Sequence, residues 1–185
     1  MNLFLDTISP RGTLIAFDDT RNILHQIFFD VLGKESTQLI EIFDQFLRNI
    51  SLSYHDIEHI IVVAGPGSFT GVRTTILMVN TVNFVIKKTL TPISYFDLFD
   101  VYPIVKTSSK RDVFAKMHAL DTIGVYTNVE ILEKCQDFDT IATDATFFER
   151  KNIRTSPDYE RIIRTAAFQN LVRISPIYIK NPNIS

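Results

Sequence analysis

Residues 65–73 read GPGSFTGVR and follow the apolar run HIIVVA over 59–64. Gly65, Gly67 and Gly71 are half of the chain's 6 glycines. A glycine-rich turn between a strand and a helix is a natural phosphate cradle, because backbone N–H groups and the helix dipole converge there. The spacing here does not suit that chemistry. A P-loop needs G-x-x-x-x-G-K-[ST], whereas Gly71 is followed by Val72 and Arg73 and stands one residue too far from Gly65. A dinucleotide fingerprint needs G-x-G-x-x-G, and the third glycine again comes one residue late. What remains is conformational chemistry. Pro66 fixes φ, Gly65 and Gly67 permit unusual dihedrals, and Ser68 or Thr70 caps a following helix.

Other reactive side chains form no catalytic constellation. The histidines are His25, His55, His59 and His118. His55 and His59 have the i, i+4 spacing of a metal pair, but SYHDIEHIIVV places His59 at a strand start, so both read as exposed polar residues on a loop. HExxH is absent from the sequence, and no Ser-His-acid set is legible. Cys135 is the sole cysteine, which rules out an intrachain disulfide or a CxxC metal site and fits a reducing cytosol. Neither a metal nor a cofactor is expected.

These residues must be carried by an α/β scaffold. The chain has 185 residues, 45% of them hydrophobic, with 15 phenylalanines and no tryptophan. That suits one large domain or two small lobes. A net charge of −2 with scattered lysines and arginines gives no basic face for direct nucleic-acid binding. MNLFLDT lacks the basic start of a signal peptide. No run of eighteen uncharged apolar residues argues for a membrane span.

NLFLDT (2–7), TLIAFDD (13–19) and ILHQIFFDV (23–31) read as an antiparallel meander. A helix follows, starting at Lys34, Glu35 and Ser36, with Leu39, Ile42, Phe43, Phe46, Leu47 and Ile50 at helical spacing. HIIVVA reads as a strand buried on both faces. A helix over roughly 71–88 and a strand over 91–95 come next. Beyond 100, strands are expected at 101–106, 112–118, 122–127 and 139–143, and a helix at 128–135. A longer helix is expected at 156–173, opened by Ser156–Pro157, and 175–180 reads as a short strand or extended tail.

The whole string GPGSFTGVR after a β-branched strand resembles the signature of the TsaB (YeaZ) family, with all nine residues in the family's order. LFLDT resembles its opening strand, IEHIIVVAGPGSFTGVR its strand-and-loop pattern, and Pro176, Tyr178, Ile179 and Lys180 its C-terminal ending. The resemblance implies an actin-like ATPase (ASKHA) fold in two lobes: an N-terminal lobe over 1–98 and a reduced C-terminal lobe over 99–185, with the boundary near 96–101. It implies a cytoplasmic, non-catalytic partner of a TsaD-like transferase that places threonylcarbamoyl on adenosine 37 of tRNA. A TsaE-like ATPase would join, tRNA would be met only through the complex, and the chain alone would form a homodimer.

In that family the helix after the loop packs against the partner. Here it reads GVRTTILMVNTVNFVIKK, and the partner-binding residues implied are Val72, Arg73, Ile76, Val79, Asn80 and Asn83. The loop residues Gly65, Pro66, Gly67, Ser68, Thr70 and Gly71 would orient it. The segment departs from the family by placing Met78, Asn80, Thr81, Asn83 and Phe84 where small residues are usual. The family's Asp-Ala-Arg segment is replaced by VKTSSKRDVF. Asp6 and Thr7 sit where actin-like ATPases carry a phosphate turn, but Ile8 and Ser9 follow instead of glycine. Two alternatives stay open: a nucleotide-binding ATPase or kinase, and a stand-alone homodimeric scaffold.

Overall fold

A computed structural model describes residues 1–30, 35–149 and 152–180. The run NLFLD forms β1 (Asn2–Asp6), buried at every position, as expected of a strand covered on both faces. β2 (Arg11–Phe17) and β3 (Ile23–Asp30) complete an antiparallel meander with it. α1 (Glu35–Asn49) then leads to β4 (His59–Val63), which is parallel to β1. α2 (Phe69–Ile86) returns the chain to β5 (Thr89–Ile93), parallel to β4. The strand order is β3-β2-β1-β4-β5. Leu39, Phe43, Phe46 and Leu47 supply the buried stripe of α1. The helix start expected at Lys34 and the Ser36 cap lies outside the residues whose side chains are described.

A second sheet repeats the plan. β6 (Ile104–Thr107), β7 (Asp112–Lys116) and β8 (Gly124–Thr127) form an antiparallel meander. α3 (Asn128–Lys134) leads to β9 (Thr140–Thr143), parallel to β6, and β10 (Asn152–Arg154) pairs parallel with β9. The order β10-β9-β6-β7-β8 is the first sheet's order read from its other end. α3 opens with a capping box: Glu130 N donates to Thr127 Oγ1 at 3.2 Å and Thr127 N to Glu130 Oε2 at 2.8 Å. Its core gathers Val105, Val113, Ala115, Ile131, Cys135, Ile141 and Phe148. The side chains of Lys106 and Asp144 form a buried ion pair, and Asp144 also accepts from Thr107 N at 2.7 Å. In the first sheet a helix, α2, joins the two parallel strands. Among the described residues, the matching link from β9 to β10 contains no helix.

The chain divides into two units, Met1–Tyr95 with Glu160–Ile177, and Phe96–Tyr159 with 178–180 among the described residues. Residues 160–177, assigned by sequence to a lobe over 99–185, pack with the first unit. The helix expected over 156–173 is also corrected: α4 spans Tyr159–Thr165 only. Beyond it the chain is neither helix nor strand apart from one isolated bridge, because partners outside the helix compete for its backbone. Leu90 N donates to Leu171 O at 2.7 Å in an isolated antiparallel bridge. Gln169 N donates to Thr91 Oγ1 at 2.7 Å. Residues 175–177 join no strand ladder, and Ile177 N donates to Ala64 O at 2.7 Å. Residues 166–177 thus form a strap along the first unit.

Candidate functional site

The glycine loop is built by close approach. Gly65 has φ of +127°, a conformation that side chains disfavour. A Cβ there would lie 2.5 Å from the Ile177 carbonyl oxygen of the strap. Gly65 O accepts from Tyr95 N at 2.7 Å. Gly67, expected to need unusual dihedrals, has no positive φ. It is needed for space, since a Cβ would meet Ile8 Cγ2 at 2.9 Å. The Gly65–Pro66 peptide is cis. Ser68 is the N-cap, its Oγ accepting from Gly71 N at 3.4 Å. Thr70 falls inside the first turn of the helix, which starts two residues earlier than expected.

The turn after β1 meets this loop. Asp6 is fully buried and its Oδ1 accepts from Ile8 N at 2.8 Å and Ser9 N at 3.0 Å. Thr7 Oγ1 and Thr75 Oγ1 share a hydrogen bond of 2.6 Å, and Thr75 also donates to Gly71 O at 3.1 Å. These bonds tie the first half of α2 to the end of β1. They leave the N–H groups of the Asp6 turn engaged by a carboxylate.

α2 is apolar nearly all round, so sequence alone does not fix which side faces inward. The stripe expected to face a partner faces the chain's own fold: Val72, Ile76 and Val79 are buried with Thr75, Val82, Asn83 and Ile86. That expectation is corrected for physical reasons. A residue such as Val79, 0% exposed, offers no surface to a partner. The outward face carries Leu77 at 69%, Phe84 at 81% and Val85 at 65% exposure, with Arg73 and Thr81. Arg73 Cζ stands 5.0 Å over the Phe69 ring. The helix is long and apolar enough by composition to cross a membrane, but its inward stripe is already packed in the first unit.

The two asparagines singled out by sequence are docking clamps for the strap. Asn80 exchanges two hydrogen bonds with Ile174, and Asn83 Nδ2 donates to Val172 O at 2.9 Å. This leaves a groove of about 650 Å³ between helix and strap, lined by Leu77, Thr81, Phe84, Lys87, Val172 and Arg173 among others. The signal for the groove was present in the sequence only as Phe84, an aromatic beside polar Asn83.

His59, read from sequence as exposed, is buried. Its Nδ1 and Nε2 meet Thr89 Oγ1 at 2.5 Å and Thr91 Oγ1 at 2.8 Å. The Phe168 ring of the strap stacks on it at 3.9 Å, and Arg21 Cζ lies 3.8 Å over the same ring. Burial, followed by the charge of Arg21, pushes the imidazole from 6.5 down to about 4. His55 lies in the turn Tyr54–Asp56 and shares no face with it. Among the described residues, no three His, Cys, Asp or Glu side chains gather as metal ligands.

The family model described as TsaD, tRNA N6-adenosine threonylcarbamoyltransferase, matches residues 34–99, the stretch from α1 through the loop and α2 to the end of the first sheet. A solved structure described as an uncharacterized protein with similarity to peptidase YeaZ from Pseudomonas aeruginosa is similar at 13% identity. The match covers 97% of this chain and 99% of that one, with a TM-score of 0.70. YeaZ from Pseudomonas aeruginosa is similar at 17% identity over 68% of this chain and 66% of that one, with a TM-score of 0.54. No curated protein matches the sequence. At such identities the likeness is one of fold: the chain has the α/β, actin-like ATPase type architecture of the YeaZ structures.

Proposed function

We propose that this chain is a TsaB-type, non-catalytic partner of a TsaD-like threonylcarbamoyltransferase acting on adenosine 37 of tRNA, and that it docks through the outward face of α2. The observation that carries the reading is the ridge of Leu77, Phe84 and Val85, exposed on a helix whose other side is fully used by its own fold. Large apolar side chains gathered on one exposed helix face mark an interaction site. The GPGSFTGVR string, the YeaZ-type fold and the TsaD-type match over residues 34–99 support the choice of partner. In this reading the loop launches α2 at a fixed angle, a TsaE-like ATPase joins the assembly in the cytoplasm, and tRNA is met through the complex.

Co-purification with the TsaD-like protein of the same source tests it, followed by a threonylcarbamoyl transfer assay with and without this chain. A complex and a stimulated rate are expected. No complex and no stimulation would sink the reading.

An enzymatic reading, in which Asp6, Thr7 and the 65–71 loop hold a nucleotide, has one feature in its favour: Ser9 Oγ is buried without a hydrogen-bond partner among the described residues. Against it, the N–H groups of Ile8 and Ser9 already bond to Asp6. A phosphate would have to displace a buried carboxylate of like charge. Magnesium ATP at one hundred times a real Kd would stabilise the fold by about 2.7 kcal/mol. No thermal shift is expected.

A further inference from the structure

The edges of the two sheets are managed differently. β5 is covered by the strap, through the Leu90–Leu171 bridge and the bond from Gln169 N to Thr91 Oγ1. β8 and β10 have only 4 and 3 residues, and shortness is itself a way of blunting an edge. β3 has 8 residues and, among the described residues, pairs only with β2. It contains neither proline nor lysine, the residues that commonly protect a free edge. Ile23, Leu24, Ile27, Phe28 and Phe29 make it apolar, and Leu24, His25, Gln26 and Phe28 are exposed. The register on β2 shifts between Ala16 and Phe17, opposite the start of β3, but His25–Asp30 pair without interruption. The Phe29 ring covers Gly12, where a Cβ would strike it, which holds β3 close on β2. The outer row of backbone N–H and C=O groups on such a strand is a template for a further strand.

Negative charge marks both ends of this edge. Asp18 and Asp19 lie between β2 and β3, and Asp30 is the last residue of β3. None of the three forms an ion pair among the described residues. Hydrogen bonds from Thr20 and Asn22 hold the Asp18 carboxyl below its usual range, so it stays ionised. The neighbouring cations are turned to other tasks. Arg11 Cζ lies 4.7 Å over the Phe28 ring, and Arg21 reaches inward to Ile163 O at 2.7 Å. We propose that the free edge of β3 takes an extended segment of another protein, one with apolar side chains at alternate positions and Lys or Arg at both ends. Main-chain hydrogen bonds to β3 supply the affinity, and contacts with Leu24 and Phe28 select the side chains. The flanking cations meet Asp18, Asp19 and Asp30, where opposite charge speeds encounter and rejects wrong partners.

β3 lies at the opposite edge of the sheet from β5 and its strap. The contact is therefore independent of whatever packs on α2, and of the proposed function. A second copy of this chain fits the β3 edge less well than a basic-ended strand. Antiparallel pairing of β3 with itself about a two-fold axis would set Asp30 of each copy beside the Asp18–Asp19 turn of the other. Like charges would then meet at both ends of the pair, which is destabilising. Lysine or arginine at those places meets opposite charge instead.

Three synthetic peptides test the proposal on the full chain. Each alternates valine and threonine over the length of β3. The first carries lysine at both ends and the second glutamate. The third repeats the first with a methyl group on every valine and threonine backbone nitrogen, which removes its main-chain donors. Binding is followed by peptide fluorescence anisotropy and by NMR hydrogen exchange of the β3 amides. The lysine peptide should bind roughly tenfold or more tightly than the glutamate peptide, and the gap should shrink between about 50 and about 300 mM salt. The methylated peptide should not bind. Alternate amides within His25–Asp30 should gain protection when the lysine peptide is added. Asp19→Lys with Asp30→Lys should invert the charge preference, and the milder Asp19→Asn with Asp30→Asn should erase it, both at near wild-type Tm. Equal binding of the two charged peptides, no binding of either, undiminished binding of the methylated peptide, or protection confined to other strands overturns the proposal. So does a wild-type dimer in sedimentation that Gln26→Lys dissolves, since the edge would then belong to a second copy. Failure of the TsaD-like protein to co-purify counts against the proposed function alone, because the peptides report on β3.

Discussion

Asn80 and Ile174 exchange two hydrogen bonds, Asn80 Nδ2 to Ile174 O at 2.9 Å and Ile174 N to Asn80 Oδ1 at 3.0 Å. Just along the helix, buried Asn83 donates to Val172 O at 2.9 Å and Lys88 O at 3.0 Å and accepts from Lys88 N at 3.0 Å. A primary amide is the side chain that can satisfy an N–H and a C=O together. The strap therefore lies where α2 has polar side chains among apolar ones.

Asn83→Leu keeps the volume but strands three backbone groups. Orphaned buried polar groups cost about 1–3 kcal/mol each when no water reaches them; Val172 is exposed and Lys88 half-buried, so water offsets part of the penalty and a loss of about 2–4 kcal/mol is expected in a urea melt. Asn80→Ala should act more locally. The Ile174 amide should exchange with deuterium faster while the amides of β1 and β4 keep their protection. Unchanged exchange at Ile174 would show that the strap does not depend on Asn80.

The two faces of α2 should separate folding from docking. Phe84→Asp alters a side chain that is 81% exposed, and a surface change of this kind is usually within about 0.5 kcal/mol. The complex with the TsaD-like protein should be lost at unchanged Tm. Val79→Asp buries a carboxylate with no partner and should cost more than about 4 kcal/mol. If Phe84→Asp unfolds the chain, or leaves the complex intact, the outward face is not the docking face.

The strands and α2 were legible in the sequence because β-branched runs and the glycine loop are local signals. The phase of α2 was not. With Val72, Ile76, Leu77, Val79, Phe84 and Val85 spread around it, only contact with α1, the turn after β1 and the strap decides which residues go inside. The strap was missed for a related reason. Tyr159, Ile162, Ile163, Ala166 and Leu171 keep helical spacing, yet the partners that unwind the stretch after Thr165 lie far away in sequence, at Asn80, Asn83 and Thr91. β10 is a polar stretch of 3 residues held by pairing with β9, so it carried no pattern of its own. His59 looked like a surface residue because nothing nearby in sequence announces Thr89, Thr91 and Phe168.

The buried imidazole makes stability depend on pH. Folded His59 titrates at about 4 against 6.5 when free. Below 6.5 the unfolded chain binds a proton that the folded chain refuses, so stability falls as pH drops through this window. The contribution is complete above about pH 6.5 and is lost toward pH 4, a change of roughly 3 kcal/mol. Urea melts across this range should show the slope. His59→Gln, which can still bond to the threonines, should flatten it. An equal slope in the variant would assign the pH dependence to other groups.

The loop's first two glycines should respond differently to alanine. At Gly65 the methyl group meets two obstacles, a φ of +127° and a backbone oxygen of Ile177 only 2.5 Å away. Neither can give without moving the strap, which at Ile177 also bonds Ala64 O. Gly65→Ala is therefore expected to cost at least about 2 kcal/mol and to free the strap, seen as faster exchange at the Ile177 amide. At Gly67 the φ is ordinary and the obstacle is the side chain of Ile8, its Cγ2 at 2.9 Å and Cδ1 at 3.1 Å. A side-chain tip can rotate away, so Gly67→Ala should cost about 1 kcal/mol or less. Combining it with Ile8→Val should relieve part of the crowding. Equal losses at the two positions would mean that the loop answers to general crowding and not to the contact between Gly65 and the strap.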